Sequence, residues 1–269
     1  MIALVACTVL FGAHAPLAGP PVASAPAQAP LTVQEPPQDD RADVRELLGL
    51  LGQHAAARGK EDREATDVID QLVQLFGDCG PKDRAAIVKG LDKCFREKRQ
   101  EDENGVRENQ LFIAAATALG EMGPESVPVL LSWIGHKSHR KDVALQRLLI
   151  QKVGKLHHED ALKPLLKLLD DHDPQIQGAA CEALGYYEGV ALDQRKVIFE
   201  ELLKLVMEAK NAVDADPTDP IARQRYDVIA APIITSLQRL SGHQEHDPQE
   251  WQRWWNKNKK EDWDKEKGS

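Results

Sequence analysis

Aromatic residues and strand patterns are scarce in this sequence. Phe, Trp and Tyr make up 5% of the 269 residues, and runs of Val, Ile and Thr with a two-residue period are hard to find. Because that alternation is the mark of a half-buried strand, few strands are expected. Residues that favour helices dominate instead. With 42% hydrophobic and 29% charged residues, the sequence predicts a folded, helical chain.

The short motifs of several large enzyme classes are also missing. No G-x-S-x-G, P-loop or G-x-G-x-x-G stretch occurs. None of the four cysteines has a C-x-x-C partner, which argues against a zinc knuckle. We expect Cys94 and Cys181 to be small buried apolar residues, and the spacing leaves open a disulfide between Cys79 and Cys94. The sequence therefore predicts no catalytic residue, no metal and no cofactor.

A dense basic stripe is absent as well. The chain carries a formal net charge of −9, and its lysines and arginines gather on no single face. An acidic chain repels phosphate backbones and anionic lipid headgroups. This balance argues against a nucleic-acid partner and against direct binding to a membrane surface.

Two polar patterns invite a metal interpretation. H-x-x-H occurs at His136 and His139 and again at His243 and His246, and residues 214–220 form an acidic loop. The loop lacks the glycine and the distal glutamate of an EF-hand. We interpret both patterns as polar residues of solvated loops and turns.

The first 25 residues look like an export signal. Residues 2–12 form an apolar core of about 11 residues, shorter than the roughly 20 needed to span a bilayer. Small-residue cleavage patterns follow at 13–15 and 23–25. A lipid anchor at Cys7, after a lipobox-like Leu-Val-Ala, is the alternative. Residues 26–38, rich in Pro, Ala and Gln, are predicted to be a disordered linker.

A helical repeat fills the centre of the chain. In residues 165–185 a leucine-rich run breaks at Asp-Asp-His-Asp-Pro and is followed by an alanine-rich helical stripe. Asp173 and Pro174 predict its start, and Gly185 predicts its stop. The anchors Gly120, Gly154 and Gly185 are 34 and 31 residues apart, a spacing typical of a repeat. With weaker flanking copies, residues 39–246 hold about five helix pairs.

This stretch resembles a HEAT repeat, close to the PBS-lyase type. The matching residues are Pro164, Leu165, Leu166, Asp170, Asp173, Ile176, Ala180, Ala183, Leu184 and Gly185. The sequence departs from the motif at Gln177, where the family has arginine, and Phe112 and Gln146 stand at the corresponding upstream positions. The resemblance implies an all-α fold, a right-handed α-α superhelix. It also implies a non-catalytic scaffold for a protein or peptide, or alternatively an accessory enzyme with lyase or chaperone activity.

The C-terminal residues 247–269 carry three tryptophans on one helical face. Trp251, Trp254 and Trp255 follow an Asp-Pro start, a pattern similar to the tails of exported bacterial HEAT-repeat proteins. Because an end repeat needs covering, we interpret them as a structural cap. A ligand-stacking platform is the alternative.

The repeat phasing predicts a weak partner-binding surface on the second helix of each pair. It is the face opposite the apolar stripe, and its members are Gln110, Ile113, Thr117, Ala144, Arg147, Gln151, Gln175, Gly178 and Glu182. The set is mixed in charge and small in size, which suits a protein or peptide. We therefore expect an exported scaffold, periplasmic or extracellular, that meets the membrane only through an anchor at Cys7.

Overall fold

The computed structural model describes residues 37–99 and 108–265. Within these residues the chain forms helices, three short 3-10 turns and one isolated β-bridge, with no strand. The helices are α1 Ala42–Ala55, α2 Asp62–Phe76, α3 Pro81–Cys94, α4 Gln110–Glu121, α5 Val127–Trp133, α6 Val143–Lys155, α7 Glu159–Lys167, α8 Pro174–Gly185, α9 Leu192–Ala215, α10 Pro220–Ser241 and α11 Pro248–Asn258.

Aspartates begin four of these helices. In each case the side chain accepts a hydrogen bond from a backbone N–H two or three residues later, which satisfies one of the free donors of the first turn. Three of the four are followed by proline at the first helical position. The four aspartates are Asp142, Asp173, Asp219 and Asp247.

The helices pair into two layers. The even-numbered helices pack in series, α2 on α4, α4 on α6, α6 on α8 and α8 on α10; we call them the ladder helices. Each of α1, α3, α5, α7 and α9 packs against the ladder helix that follows it, and we call these the flanking helices. The fold is thus an all-α solenoid of five helix pairs, with α11 against α9. The predicted fold class and number of pairs are confirmed.

Leucines and isoleucines fill the space between the layers. One fully buried residue from each ladder helix is Leu72, Leu119, Leu149, Leu184 and Leu237. Burying such a side chain contributes about 1.5–3 kcal/mol relative to leaving it exposed. A single helix hairpin cannot bury this apolar surface by itself, so the neighbouring hairpins bury it by stacking against it.

The repeat glycines do not act as left-handed stops. α4 continues past Gly120 to Glu121, and α6 continues past Gly154 to Lys155. α8 does end at Gly185, but this glycine has φ −65° and ψ −21°, a right-handed helical conformation. The predicted stop at Gly185 is therefore confirmed, but it does not come from a left-handed glycine cap.

Cys79 and Cys94 do not form a disulfide. Both are buried free thiols, as is Cys181. Cys79 precedes α3 and Cys94 is its last residue. Because 14 helical residues span about 20 Å, the helix holds the two sulfurs at opposite ends.

The predicted export signal, residues 1–25, lies outside the described residues, as does nearly all of the predicted linker 26–38. Gln38, at the end of that linker, accepts a hydrogen bond from Gly80 N–H at 2.7 Å and donates its own N–H to Asp78. Among the helices of the described ranges, none is long and apolar enough to cross a membrane.

Candidate interaction surface

Seven of the predicted partner-binding residues lie on ladder helices α4, α6 and α8. Gln110 and Arg147 are exposed, and the other five, Ile113, Thr117, Gln151, Gln175 and Glu182, are half-buried. Of the two other positions on the predicted face, Ala144 is exposed and Gly178 is not. A Cβ at Gly178 would lie 3.4 Å from the Val228 carbonyl oxygen of α10, so the next ladder helix covers this position. The prediction that Gly178 belongs to the open face is wrong.

The three repeat glycines set the register between ladder helices. A Cβ at Gly154 would lie 2.6 Å from the Ala183 Cβ and 2.7 Å from its Cα. A Cβ at Gly185 would meet Ser236 on α10. At each contact the glycine lets the two helices approach closely, because a side chain of the next helix already fills the space that a Cβ would take.

These contacts identify equivalent positions on successive helices. A Cβ at Gly120 would meet the side chain of Lys152. Lys152 and Ala183 each lie two residues before the next repeat glycine. Ser236 takes the same place on α10, although no glycine follows it there.

Three residues beyond these contact positions lie Lys155, Tyr186 and Arg239, which we call the Tyr186 row. The Lys155 Nζ is 5.8 Å from the centroid of the Tyr186 ring, and the Arg239 Cζ is 5.2 Å from it. The Tyr186 hydroxyl donates a hydrogen bond to Glu182 Oε1 at 2.8 Å. Residues from the end of α6, from the turn directly after α8 and from α10 therefore meet around one aromatic ring.

Burial and the hydrogen bond to Glu182 raise the pKa of Tyr186 above its ordinary value. The side chains of Gln151 and Arg239 act in the opposite direction. A tyrosine is protonated at neutral pH even at its ordinary pKa, so Tyr186 donates to Glu182. Gln151 and Glu182, both predicted partner-binding residues, therefore lie beside a tyrosine that the sequence reasoning missed.

Basic side chains concentrate on α6 and α10. They are Arg147, Lys152, Lys155, Arg223, Arg225 and Arg239. Within the described ranges, no carboxylate lies within ion-pair distance of any of the six. The acidic residues on α4, α6, α8 and α10 are Glu121, Glu182 and Asp227. This part of an acidic chain therefore carries a net positive charge.

Two buried glutamines hold the ends of flanking helices. Gln146 donates its side-chain N–H to the Trp133 carbonyl at 3.2 Å and accepts from Gly135 N–H at 2.6 Å. Gln177 donates to the Leu169 carbonyl at 2.7 Å. Both therefore fulfil the same role, binding backbone groups at or just beyond the C-terminal ends of α5 and α7.

Gln177 also reaches the next repeat, because its Oε1 accepts from Arg225 Nε at 3.1 Å. Phe112 stands at the corresponding position of α4, and its side chain has no amide that could form these hydrogen bonds. There the Phe95 carbonyl, just beyond α3, accepts instead from His139 Nε2 at 2.7 Å. A histidine from the following repeat thus replaces the missing glutamine.

More of the histidines pack against other side chains than the sequence suggests. His139 is buried among Phe95, Phe112 and Trp133, which contradicts the interpretation of this pair as solvated. His243 stacks on Trp254 with ring centroids 5.1 Å apart. The described residues contain no group of three or more His, Cys, Asp or Glu side chains able to hold a metal ion.

The C-terminal tryptophans surround one phenylalanine of α9. Trp251 and Trp255 are buried, with ring centroids 5.6 and 5.1 Å from Phe199. Trp254 is half-buried, and Trp263 closes the cluster at 5.4 Å from the same ring. Tryptophans 251 and 255 thus cover the outer end of the flanking layer and leave little ring face for a ligand.

An apolar groove of about 470 Å³ separates flanking helices α3 and α5. Pro37, Cys79, Val88 and Val129 contribute to its lining, with Arg84 and other charged residues also present. Arg84 is held to Glu125 at 3.5 Å and donates to the Cys79 carbonyl. None of the predicted site residues lines it.

Comparison with known proteins supports the repeat. A family model for HEAT repeats matches residues 138–204, which include α6, α7, α8 and the first half of α9. A search of curated proteins found no similar protein. The matched segment contains both buried glutamines, Lys155 and Tyr186.

Proposed function

We propose that this chain is a non-catalytic HEAT-repeat scaffold that binds a protein outside the cytoplasm. HEAT repeats commonly mediate protein interactions, and the matched segment lies in the centre of the solenoid. The observation that carries the proposal is the Tyr186 row. It brings a tyrosine, an arginine and a lysine from three consecutive helix pairs to one partly exposed surface.

Tyrosine and arginine are enriched among the residues that dominate binding energy at protein interfaces. We call the predicted face of the ladder helices, which carries Gln110, Thr117, Arg147 and Gln151, the ladder face. Three of these residues have uncharged polar side chains that adapt to a polypeptide partner. A partner lying across α4, α6 and α8 would contact equivalent positions in successive repeats. Repeat proteins use their stacked surfaces for extended binding in this manner.

The site of action belongs to the same proposal. The apolar residues 2–12 followed by two small-residue cleavage patterns support export. Mass spectrometry of the chain recovered from an envelope fraction tests this. A mature N-terminus after residue 15 or 25, or a lipidated Cys7, is the expected result. A full-length chain confined to the cytoplasm would contradict it.

Affinity purification of the full chain from the same envelope fraction tests the scaffold function. We expect one protein to be recovered in stoichiometric amount, to be lost with Arg147→Glu and to be retained with Lys163→Glu. Arg147 is exposed on a ladder helix, and Lys163 is exposed on flanking helix α7. A substrate turned over by the purified chain, with turnover abolished by one side-chain change, would instead favour the lyase-like alternative.

A further inference from the structure

We propose that the Tyr186 row binds an acidic peptide segment of the partner, with carboxylates engaging Lys155 and Arg239 on either side of the tyrosine ring. The inference rests on the proposed scaffold function and specifies the chemistry of the partner. Its basis is the geometry of three repeat-equivalent positions together with the charge of the helices that carry them.

The two cations lie close enough to serve one short segment. Each lies within 6 Å of the centroid of the same ring, and neither has a carboxylate within ion-pair distance in the described part of the chain. Glu182, the nearest acidic side chain on α8, accepts the Tyr186 hydroxyl instead. Lys155 and Arg239 therefore remain available to anionic groups from outside.

The Tyr186 ring does more than separate the two cations. Tyr186 is half-buried and hydrogen-bonded through its hydroxyl, so its orientation is fixed before a partner arrives. A side chain held in place loses little conformational freedom on binding. Both cations are also held near the C-terminal ends of their helices, where the helix dipole favours positive charge.

Charge complementarity identifies the partner as acidic. α6 carries Arg147 and Lys152 in addition to Lys155, and α10 carries Arg225 on the same side as Arg239. A peptide fits better than a nucleic acid because Glu121, Glu182 and Asp227 interrupt the basic surface and the whole chain is acidic. The hydrogen-bonding residues Gln151 and Thr117 nearby suit a polypeptide backbone.

Fluorescence anisotropy with the full chain tests the inference. The probe is a fluorescein-labelled 12-residue peptide of alternating Glu and Ala, compared with a Lys and Ala peptide of equal length and with a single-stranded oligonucleotide. We expect saturable binding of the acidic peptide alone, weakened as added salt screens the charges. Lys155→Glu and Arg239→Glu should each weaken it by about tenfold or more, since charge reversal replaces attraction by repulsion.

Three further variants sharpen the result. Lys163→Glu applies the same charge reversal on flanking helix α7 and should leave binding unchanged. Tyr186→Ala should weaken binding without a change in net charge. Tyr186→Phe keeps the ring but releases Glu182, so it should weaken binding less than Tyr186→Ala does. Circular dichroism checks the fold of each variant, and Lys155→Gln or Arg239→Gln replaces any charge reversal that fails to fold.

Several outcomes would overturn the inference: no saturable binding of the acidic peptide, equal binding of the basic peptide, or equal losses with Lys163→Glu. Oligonucleotide binding that is lost in the same two variants would assign the row to nucleic acid instead. If the envelope partner is lost with Arg147→Glu but kept with Lys155→Glu and Arg239→Glu, the scaffold function stands and this inference fails.

Discussion

At the scale of single residues, the structure depends on positions where one atom decides the packing. The repeat glycines are needed because the next ladder helix leaves no room for a Cβ. The buried glutamines matter because their amides bind backbone groups where α5 and α7 end. Both requirements concern contacts between elements, so neither is visible in local helix propensity.

Gly154→Ala should destabilise the protein. The added Cβ would meet the Ala183 backbone at 2.7 Å, and backbone atoms of a packed helix cannot move aside cheaply. Overpacking of this kind costs about 1–3 kcal/mol. Chemical denaturation followed by circular dichroism measures the change.

Gly52→Ala is the matched control for that substitution. Gly52 lies inside α1 with no atom within 4 Å of an added Cβ. Replacing an unconstrained helical glycine should stabilise the protein by about 0.4–1 kcal/mol. If both alanine variants stabilise the protein, the close approach of α6 and α8 at Gly154 is wrong.

Gln146→Leu should also lower the free energy of unfolding. The substitution removes the partner of the Gly135 N–H and one of the two donors to the Trp133 carbonyl, which keeps the His136 N–H at 3.3 Å. A lost hydrogen bond of this kind costs about 0.5–1.5 kcal/mol. Gln53→Leu, at an exposed position of α1, should change the free energy by less than about 0.5 kcal/mol. Equal effects from the two variants would remove Gln146 from this role.

At the scale of elements, much of the helix arrangement follows from the sequence. The aspartate-proline starts at Asp173 and Asp247 and the leucine stripes correctly predict where helices begin and which faces are buried. The 34- and 31-residue spacing predicts the pairs because each hairpin repeats the same stripe. These features are local, so periodicity and capping rules reach them.

Periodicity and capping rules do not predict contacts between elements. Tyr186 directly follows a repeat glycine, as Lys155 does. This shared position in the repeat is the sequence signal that indicates the two residues lie near each other. Their meeting with Arg239 depends on how α10 crosses α8, where no repeat glycine marks the register. His139 was likewise misjudged, because its burial depends on the Phe95 carbonyl 44 residues earlier.

The terminal helix α11 should stabilise its neighbours through one tryptophan above the others. Trp251 is fully buried, whereas Trp254 is half-buried, so Trp251→Ala leaves the larger cavity. We expect a loss of about 3–5 kcal/mol for Trp251→Ala and a smaller loss for Trp254→Ala. Denaturant unfolding of both variants provides the measurement, and a larger loss for Trp254→Ala would contradict the cap.

At the scale of the whole molecule, stability is a chain of nearest-neighbour contacts. Each ladder helix packs mainly on the one before and the one after it. Stability in such arrays is approximately the sum of repeat and interface terms. The effect of a change at one end should therefore fade along the array.

Hydrogen exchange of the Trp251→Ala variant tests this. Amide protection should fall in α9 and α11, which are in direct contact, and fall less in α10. Protection in α1 and α2, four helix pairs away, should change little. A uniform fall across all helices would show that the chain unfolds as one cooperative unit.

The central claim is that the ladder face, and not the flanking layer, meets the partner. Photo-crosslinking tests it most directly, with p-benzoylphenylalanine placed at Gln151 on the ladder face or at Lys163 on α7 in cells that make the full chain. The account predicts a discrete adduct of one size from position 151 and none from position 163. An adduct from position 163 alone, or the same adduct from both positions, would contradict it.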